Sequence, residues 1–305
     1  MKVLAEGLKF PEGPVAMADG SVCFVEIAAG RVSRVSRTGV VTEVAKTGGG
    51  PNGLAVGPDG ALYVCNNGGF LTREVDGETH VIHGELPADY VSGSIQRVDP
   101  HTGEVTTLYT RCGDVALSAP NDLVFDAYGG FYFTDFGKIR KRSRDTGSVY
   151  YALPDGRSIR EVVHPIANPN GIGLSPDQRT LYVAETETSR LWAFSIREPG
   201  SVERHGFPSP NGGRLVCGLP GYQRFDSLAL EAGGNLCVGT LIAGQVTVIS
   251  PEGQVVRQVA MPEAYPTNIC FGGHGMRKAY VTLSHTGRLV ELDWDAPGLE
   301  LNFNA

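Results

Sequence analysis

Six short triplets recur along the chain: Pro11-Glu12-Gly13, Pro51-Asn52-Gly53, Pro120-Asn121-Asp122, Pro169-Asn170-Gly171, Phe225-Asp226-Ser227 and Pro266-Thr267-Asn268. Their central residues are two carboxylates, three amides and one hydroxyl. A single Pro-Asn-Gly is an ordinary turn former. Six oxygen-bearing residues in register carry more information, because Glu12 and Asp226 would repel each other if a fold gathered the set. Burying two unpaired carboxylates is costly, and a cation between them removes that cost. Carboxylate and amide oxygens are hard donors, suited to Ca²⁺, Mg²⁺ or Mn²⁺.

The elements that would gather these residues are legible around each triplet. After each one the sequence alternates for a few residues and turns at Asp19-Gly20, Asp59-Gly60, Gly129-Gly130, Pro176-Asp177, Gly233-Gly234 or Gly272-Gly273. It then re-emerges as an apolar strand such as Val22–Val25, Phe131–Phe133 or Leu181–Val183. Further alternating segments turn at Thr38-Gly39, Thr102-Gly103, Asp155-Gly156 and Glu252-Gly253. Short alternating runs around Gly-containing turns read as hairpins. Two hairpins per repeat make one four-stranded propeller blade.

The central residues are spaced by 40, 69, 49, 56 and 41 residues. The two chain ends together supply one further blade length. The expected fold is therefore all-β: a six-bladed β-propeller with four antiparallel strands per blade, one domain over residues 1–305. Pairing of the N-terminal segment Lys2–Leu8 with C-terminal strands such as Arg288–Trp294 closes the ring and removes exposed sheet edges. The longest spacing contains an insertion, 70–94, expected as a loop over one face.

Composition limits the partners. Net charge is −7, hydrophobic residues make up 41%, and Gly and Pro number 41 and 19. Such a chain is globular and turn-rich, with no basic stripe for nucleic acid. The densest basic run, Lys138 to Arg144, reads as a solvated loop. No apolar run is long enough to span a bilayer, and Met1 to Gly7 lacks the apolar core of a signal peptide. A cytoplasmic protein is expected, with no membrane or nucleic-acid partner, as a monomer or weak homo-oligomer. None of Cys23, Cys65, Cys112, Cys217, Cys237 and Cys270 forms a Cys-x-x-Cys pair. Most lie in apolar runs, so they are expected as buried, reduced thiols.

A second ring of polar residues ends the second strand of each repeat: Glu26, Asn66, Asp135, Glu185, Thr240 and Ser284. These residues either face the pocket or meet solvent, and His285 follows the last of them. Asp135, His285 and Asn52 are candidate substrate contacts. No Gly-x-Ser-x-Gly elbow or phosphate-cradling loop occurs.

Phe10-Pro11-Glu12-Gly13-Pro14, Pro120-Asn121-Asp122, Pro169-Asn170-Gly171-Ile172, Phe225-Asp226-Ser227-Leu228, and Pro266-Thr267-Asn268 followed by Phe271-Gly272-Gly273 together resemble the senescence-marker-protein/gluconolactonase/luciferin-regenerating-enzyme family of six-bladed propellers. The likeness covers nearly the whole chain. It implies a divalent metal held by Glu12, Asn170 and Asp226, with Asn121 as fourth ligand or substrate contact. It also implies hydrolysis of a small lactone, often sugar-derived. Asp226 is then the general base or water-orienting carboxylate, with direct nucleophilic attack as the variant. The expected cofactor is one divalent ion, Ca²⁺ first, with Mg²⁺, Mn²⁺, Zn²⁺ or Fe²⁺ as alternatives. Ala119 stands where sugar-lactone members often carry Arg, so the resemblance implies lactone chemistry and leaves open whether the lactone is sugar-derived. The rival readings are a phosphotriesterase-type hydrolase on the same metal site and a non-enzymatic ligand-binding propeller.

Overall fold

All six innermost strands share one irregularity, placed at the triplets. Register with the second strand slips between Glu12 and Val15, Pro51 and Leu54, Pro120 and Leu123, Pro169 and Ile172, Phe225 and Leu228, and Pro266 and Asn268. A bulge bends its strand and re-aims a side chain. Five of these strands begin with Pro, which has no N–H to contribute to a ladder and is tolerated at a strand's first residue. Beyond the bulge each strand resumes regular pairing and is almost wholly buried.

The computed structural model describes residues 1–82 and 84–303; His83, Asn304 and Ala305 lie outside the described residues. Its six main sheets form a ring, each antiparallel from inside outward. The blades start at Pro11–Ala16, Pro51–Val56, Pro120–Phe125, Pro169–Leu174, Arg224–Leu230 and Pro266–Gly272. Each innermost strand packs against the next around the ring, and the sixth against the first. The expected six-bladed propeller is therefore the observed fold. The expected closure is also present: Lys2–Ala5 is the outermost strand of the last blade, with Lys2 opposite Glu291 and Val3 opposite Val290.

The core is divided by the same symmetry. Six apolar clusters of described residues each fill one gap between neighbouring blades. The gap between the second and third blades is the most aromatic, with Tyr63, Phe125, Phe131, Phe133 and Tyr150. Among the cysteines, Cys23, Cys65 and Cys237 are buried; Cys112, Cys217 and Cys270 are partly buried, and all six are free. No helix is long and apolar enough to cross a membrane.

The insertion differs from the expected loop. Leu71–Val75 and Glu78–Ile82 form a hairpin in full register, joined by Asp76-Gly77 with φ of 50° and 83°. Two positive φ values are what a tight type I′ hairpin requires, and Asp-Gly supplies them. Lys138 is the second correction. It belongs to the basic run read as a solvated loop, yet it is fully buried. Its Nζ donates to Gly69 O at 2.7 Å and sits 4.0 Å from the centre of the Phe70 ring. Burial pushes the amine down to about 7. It tethers the base of the hairpin to the third blade.

The third triplet residue sets how closely the blades approach. A Cβ on Gly53 would lie 2.5 Å from Asn121 O and 2.7 Å from Asp122 Cα, both of the next blade's inner strand. On Gly171 it would meet Asp226 O and Ser227 Cα at 2.7 Å. These are backbone atoms and cannot swing away. Gly53→Ala is therefore expected to destabilise the fold by about 1–3 kcal/mol, measured as a lower urea midpoint at unchanged slope. Gly233→Ala, whose Cβ meets nothing within 4 Å, should stay within about 0.5 kcal/mol of the parent. A neutral Gly53→Ala would remove the close-approach argument.

Candidate active site in the central channel

All six central triplet residues line one cavity of about 190 Å³ at one mouth of the channel: Glu12, Asn52, Asn121, Asn170, Asp226 and Thr267. The bulges put them there, since each falls where the ladder to the second strand is interrupted. All six are buried. Phe10, Ile27, Phe136, Leu241 and Tyr265 build an apolar wall above this floor, and Phe70, His80 and Val81 of the hairpin complete it. Arg224 also lines the cavity, paired with Glu187 at 3.3 Å.

Below the first ring lies a second, which sequence reasoning missed. The third triplet residue is Gly in blades one, two and four, but Asp122, Ser227 and Asn268 in the others, and all three are buried. Asn268 Nδ2 donates to Glu12 Oε2 at 2.9 Å. Ser227 Oγ donates to Asn170 Oδ1 at 3.3 Å. Asp122 is a third channel carboxylate. The polar residue that replaces Gly at this position in three of the six triplets was the available signal.

The channel is electrostatically strained in the absence of a counter-charge. Burial raises the Glu12 carboxyl, against hydrogen bonds from Asn268, Gly13 and Thr267 that lower it. Burial, then the charge of Glu12, holds Asp226 well above the usual carboxylate range. The same two causes push Asp122 up to about 7. Among the buried side-chain polar atoms of the described residues, Asn121 Oδ1 is one of a few with no hydrogen-bond partner. Buried carboxylates beside an unused amide oxygen form a donor set that fits a hard divalent cation.

The strand-end ring has a different role from either expected one. Lys9 N donates to Glu26 Oε2 at 2.8 Å, and Gly50 N to Asn66 Oδ1 at 2.9 Å. Ser118 N and Ala119 N donate to Asp135 at 2.7 and 2.6 Å, and Ala167 N to Glu185 Oε1 at 3.1 Å. Each acceptor holds the chain just before its own blade's innermost strand. Asp135 is buried and does not line the cavity. Its carboxylate is taken up by three backbone N–H groups, the third from Gly137 at 3.1 Å. Thr240 bonds Thr247, and Ser284 donates to Pro11 O at 2.6 Å.

His285 does reach the cavity. Its ring stacks on Tyr265 at 3.5 Å and lies 4.4 Å from that of His80. Its backbone is held on both sides, its N–H by Glu263 Oε1 at 3.2 Å and its C=O by Thr79 N at 2.8 Å. Burial, then His80, pushes its imidazole down to about 4, so it is neutral near pH 7. The opposite mouth holds a mainly apolar cavity under the segment 299–303, where Leu299 N donates to Leu230 O at 2.8 Å and Phe303 meets Phe125 edge-on.

Fold and site together define a six-bladed propeller with an acid- and amide-lined channel. The chain belongs to the SMP-30/Gluconolactonase/LRE-like family, whose region matches residues 10–285. It is similar to the lactonase drp35 of Staphylococcus haemolyticus, 30% identical over 264 residues, which covers 86% of this chain and 72% of that protein. Among solved structures it resembles a gluconolactonase from Xanthomonas campestris (TM-score 0.75, 23% identity, 97% of this chain and 89% of that one). It also resembles a calcium-binding protein, regucalcin, from Agrobacterium tumefaciens (TM-score 0.78, 18% identity, 100% and 97%).

A carboxyl whose folded pKa lies above its ordinary value stabilises the fold while protonated. That contribution is present below the unfolded pKa and is lost as pH rises through the folded one. For Asp122 the window runs from 3.8 to about 7. Metal-stripped protein should therefore lose melting temperature as pH rises through this window, and Asp122→Asn should flatten the decline. Added Ca²⁺ should raise the melting temperature most at the upper end. Equal pH dependence of melting in the stripped parent and Asp122→Asn would contradict the raised Asp122 carboxyl.

Proposed function

We propose that the protein is a metal-dependent lactonase, hydrolysing a small lactone to its hydroxy acid at the channel site. The observation that carries this reading is the donor set: buried Glu12 and Asp226 facing one cavity with Asn52, Asn121 and Asn170, where Asn121 Oδ1 has no protein partner. Relatives named lactonase and gluconolactonase support it. Glu12, Asn121, Asn170 and Asp226 would hold one divalent ion. Ca²⁺ is the first choice on hardness and on the calcium-binding neighbour. When bound, such an ion supplies Lewis-acid polarisation of the carbonyl and a water of lowered pKa.

Asp226 is the general base. It is buried and lines the cavity floor, and placement within reach of the attacking water is the first requirement of a general base. It takes the proton of the attacking water as the water oxygen bonds to the carbonyl carbon. The ring C–O bond then breaks, and the proton passes to the departing alkoxide oxygen, leaving a hydroxyl and a carboxylic acid that loses its remaining proton to solvent. Asn52 and His285 contact the ring. Asp135 positions rather than binds: its carboxylate fixes the backbone that leads into Asn121. The wall of Phe10, Ile27, Phe70, Phe136, Leu241 and Tyr265 suits a lactone with a hydrocarbon flank better than a polyhydroxylated ring. Six free thiols fit a reducing, cytoplasmic setting.

The test is hydrolysis by metal-stripped protein with Ca²⁺, Mg²⁺, Mn²⁺, Zn²⁺ or Fe²⁺ restored. The substrates are γ- and δ-lactones with alkyl or with hydroxyl substituents, and a paraoxon-type phosphotriester. Metal-restored lactone turnover is expected, higher for the alkyl series. Asp226→Asn should keep the circular dichroism spectrum and lower turnover by about 10²–10⁴-fold, the usual contribution of a general base. Turnover of the phosphotriester alone would overturn the lactonase reading, and a fully active Asp226→Asn would overturn the role of that residue.

A further inference from the structure

Among the described residues, the one group of three or more His, Cys, Asp or Glu donors close enough to share an ion lies outside the carboxylate floor. It is Glu78, His80 and His285, whose ligand atoms all fall within 4.8 Å of one another. We propose that these three residues form a second metal site, selective for a borderline transition ion such as Zn²⁺, that fastens the 71–82 hairpin across the channel mouth.

The placement follows from the fold. Glu78 and His80 are two residues apart on one strand, so both side chains project from the same face of the hairpin. That face meets the sixth blade, where His285 is held by Tyr265 and Glu263. His80 Nε2 lies 3.3 Å and His285 Nδ1 3.8 Å from the same oxygen, Glu78 Oε2. Ligands at Zn–N and Zn–O distances of about 2.0–2.1 Å in a tetrahedron stand about 3.3 Å apart, so these pairs need little adjustment. Two imidazoles and one carboxylate are the donors of open zinc sites, which leave a fourth position free. His80 and His285 both line the substrate cavity.

The donor chemistry separates this site from the channel floor. Carboxylates and amides favour Ca²⁺, whereas imidazole favours zinc, cobalt and nickel. Besides the Lys138 tether at its base, described residues of the hairpin also reach the ring near the mouth. The Thr79 N–H bonds the His285 carbonyl, and an exposed ion pair joins Lys9 to Glu74 at 3.2 Å. Exposed pairs contribute little, so a metal bridge between hairpin and sixth blade would add a strong attachment at the mouth. This inference does not depend on the lactonase reading.

The experiment titrates Co²⁺ into the full chain with Ca²⁺ in excess, following visible d–d absorption, then displaces Co²⁺ with Zn²⁺. One Co²⁺ per chain with imidazole-type absorption is expected. His80→Asn and Glu78→Gln should each weaken Co²⁺ binding by more than about tenfold, the loss already typical of removing an outer-shell partner of a metal site. Asp226→Asn should bind Co²⁺ like the parent. Amide hydrogen exchange over residues 71–82 should slow on adding Zn²⁺ to the parent and not to His80→Asn. Unchanged circular dichroism and melting of both hairpin variants exclude misfolding. Equal Co²⁺ affinity in parent, His80→Asn and Glu78→Gln, loss of binding in Asp226→Asn, or hairpin exchange indifferent to Zn²⁺ would each overturn the proposal.

Discussion

The site depends on the approach of one inner strand to the next, backbone against backbone, at the triplets. Gly53 and Gly171 leave no space for a Cβ between neighbouring strands. Close approach narrows the channel, and a narrow channel brings residues from six blades to one floor. The bulge in each inner strand completes the effect, because it frees the triplet from regular pairing where its central side chain is needed. Oxygen donors far apart in sequence thereby become neighbours with little dependence on loop conformation. A site built on strands of a closed ring is held more precisely than one built on loops.

That precision has an electrostatic cost. Three buried carboxylates, Glu12, Asp122 and Asp226, raise one another's pKa or are raised by burial alone. Neutral partners offset part of this: Asn268 donates to Glu12, and Asn170 bonds to Ser227 and Thr186. Amides cannot neutralise the set, however. The strand-end ring bears on the same problem from outside. Glu26, Asn66, Asp135 and Glu185 bind the backbone entering four of the blades, so the floor has little freedom to spread and let water in. Charge crowding is thus retained by the scaffold rather than relaxed.

The repeat, the ring closure and the six floor residues were legible because they depend on local patterns repeated six times. Turn residues, alternation and spacing are enough to place Glu12 and Asp226 on one floor without knowing any loop. Asp122, Ser227 and Asn268 were equally visible in the triplets, but their meaning rests on the neighbouring blade's glycine, a contact between strands and not within one. The strand-end acids were legible as a set and not in role, since sequence does not reveal which backbone N–H groups face them. The 70–94 insertion was expected as a loop although Asp76-Gly77 is a hairpin turn pair, and the hairpin's reach to the sixth blade is tertiary. Lys138 was misread for the same reason: its charge suggested solvent, and only packing against Phe70 and the Gly69 carbonyl explains its burial.

The mouth and the floor of this channel therefore obey different constraints. Floor residues lie on inner strands, where moving one moves a blade. Mouth residues His80 and Val81 ride on a hairpin inserted into the second blade, and Phe70 lies at its base. Arg224, in the wall, is already engaged by Glu187, which leaves it less available to sugar hydroxyls. Chemistry common to a family belongs on the rigid floor, and selection among substrates belongs on the adaptable rim. The imidazoles of His80 and His285 sit at the junction of the two, one on the insertion and one on the ring. Whatever binds that pair couples the inserted hairpin to the ring.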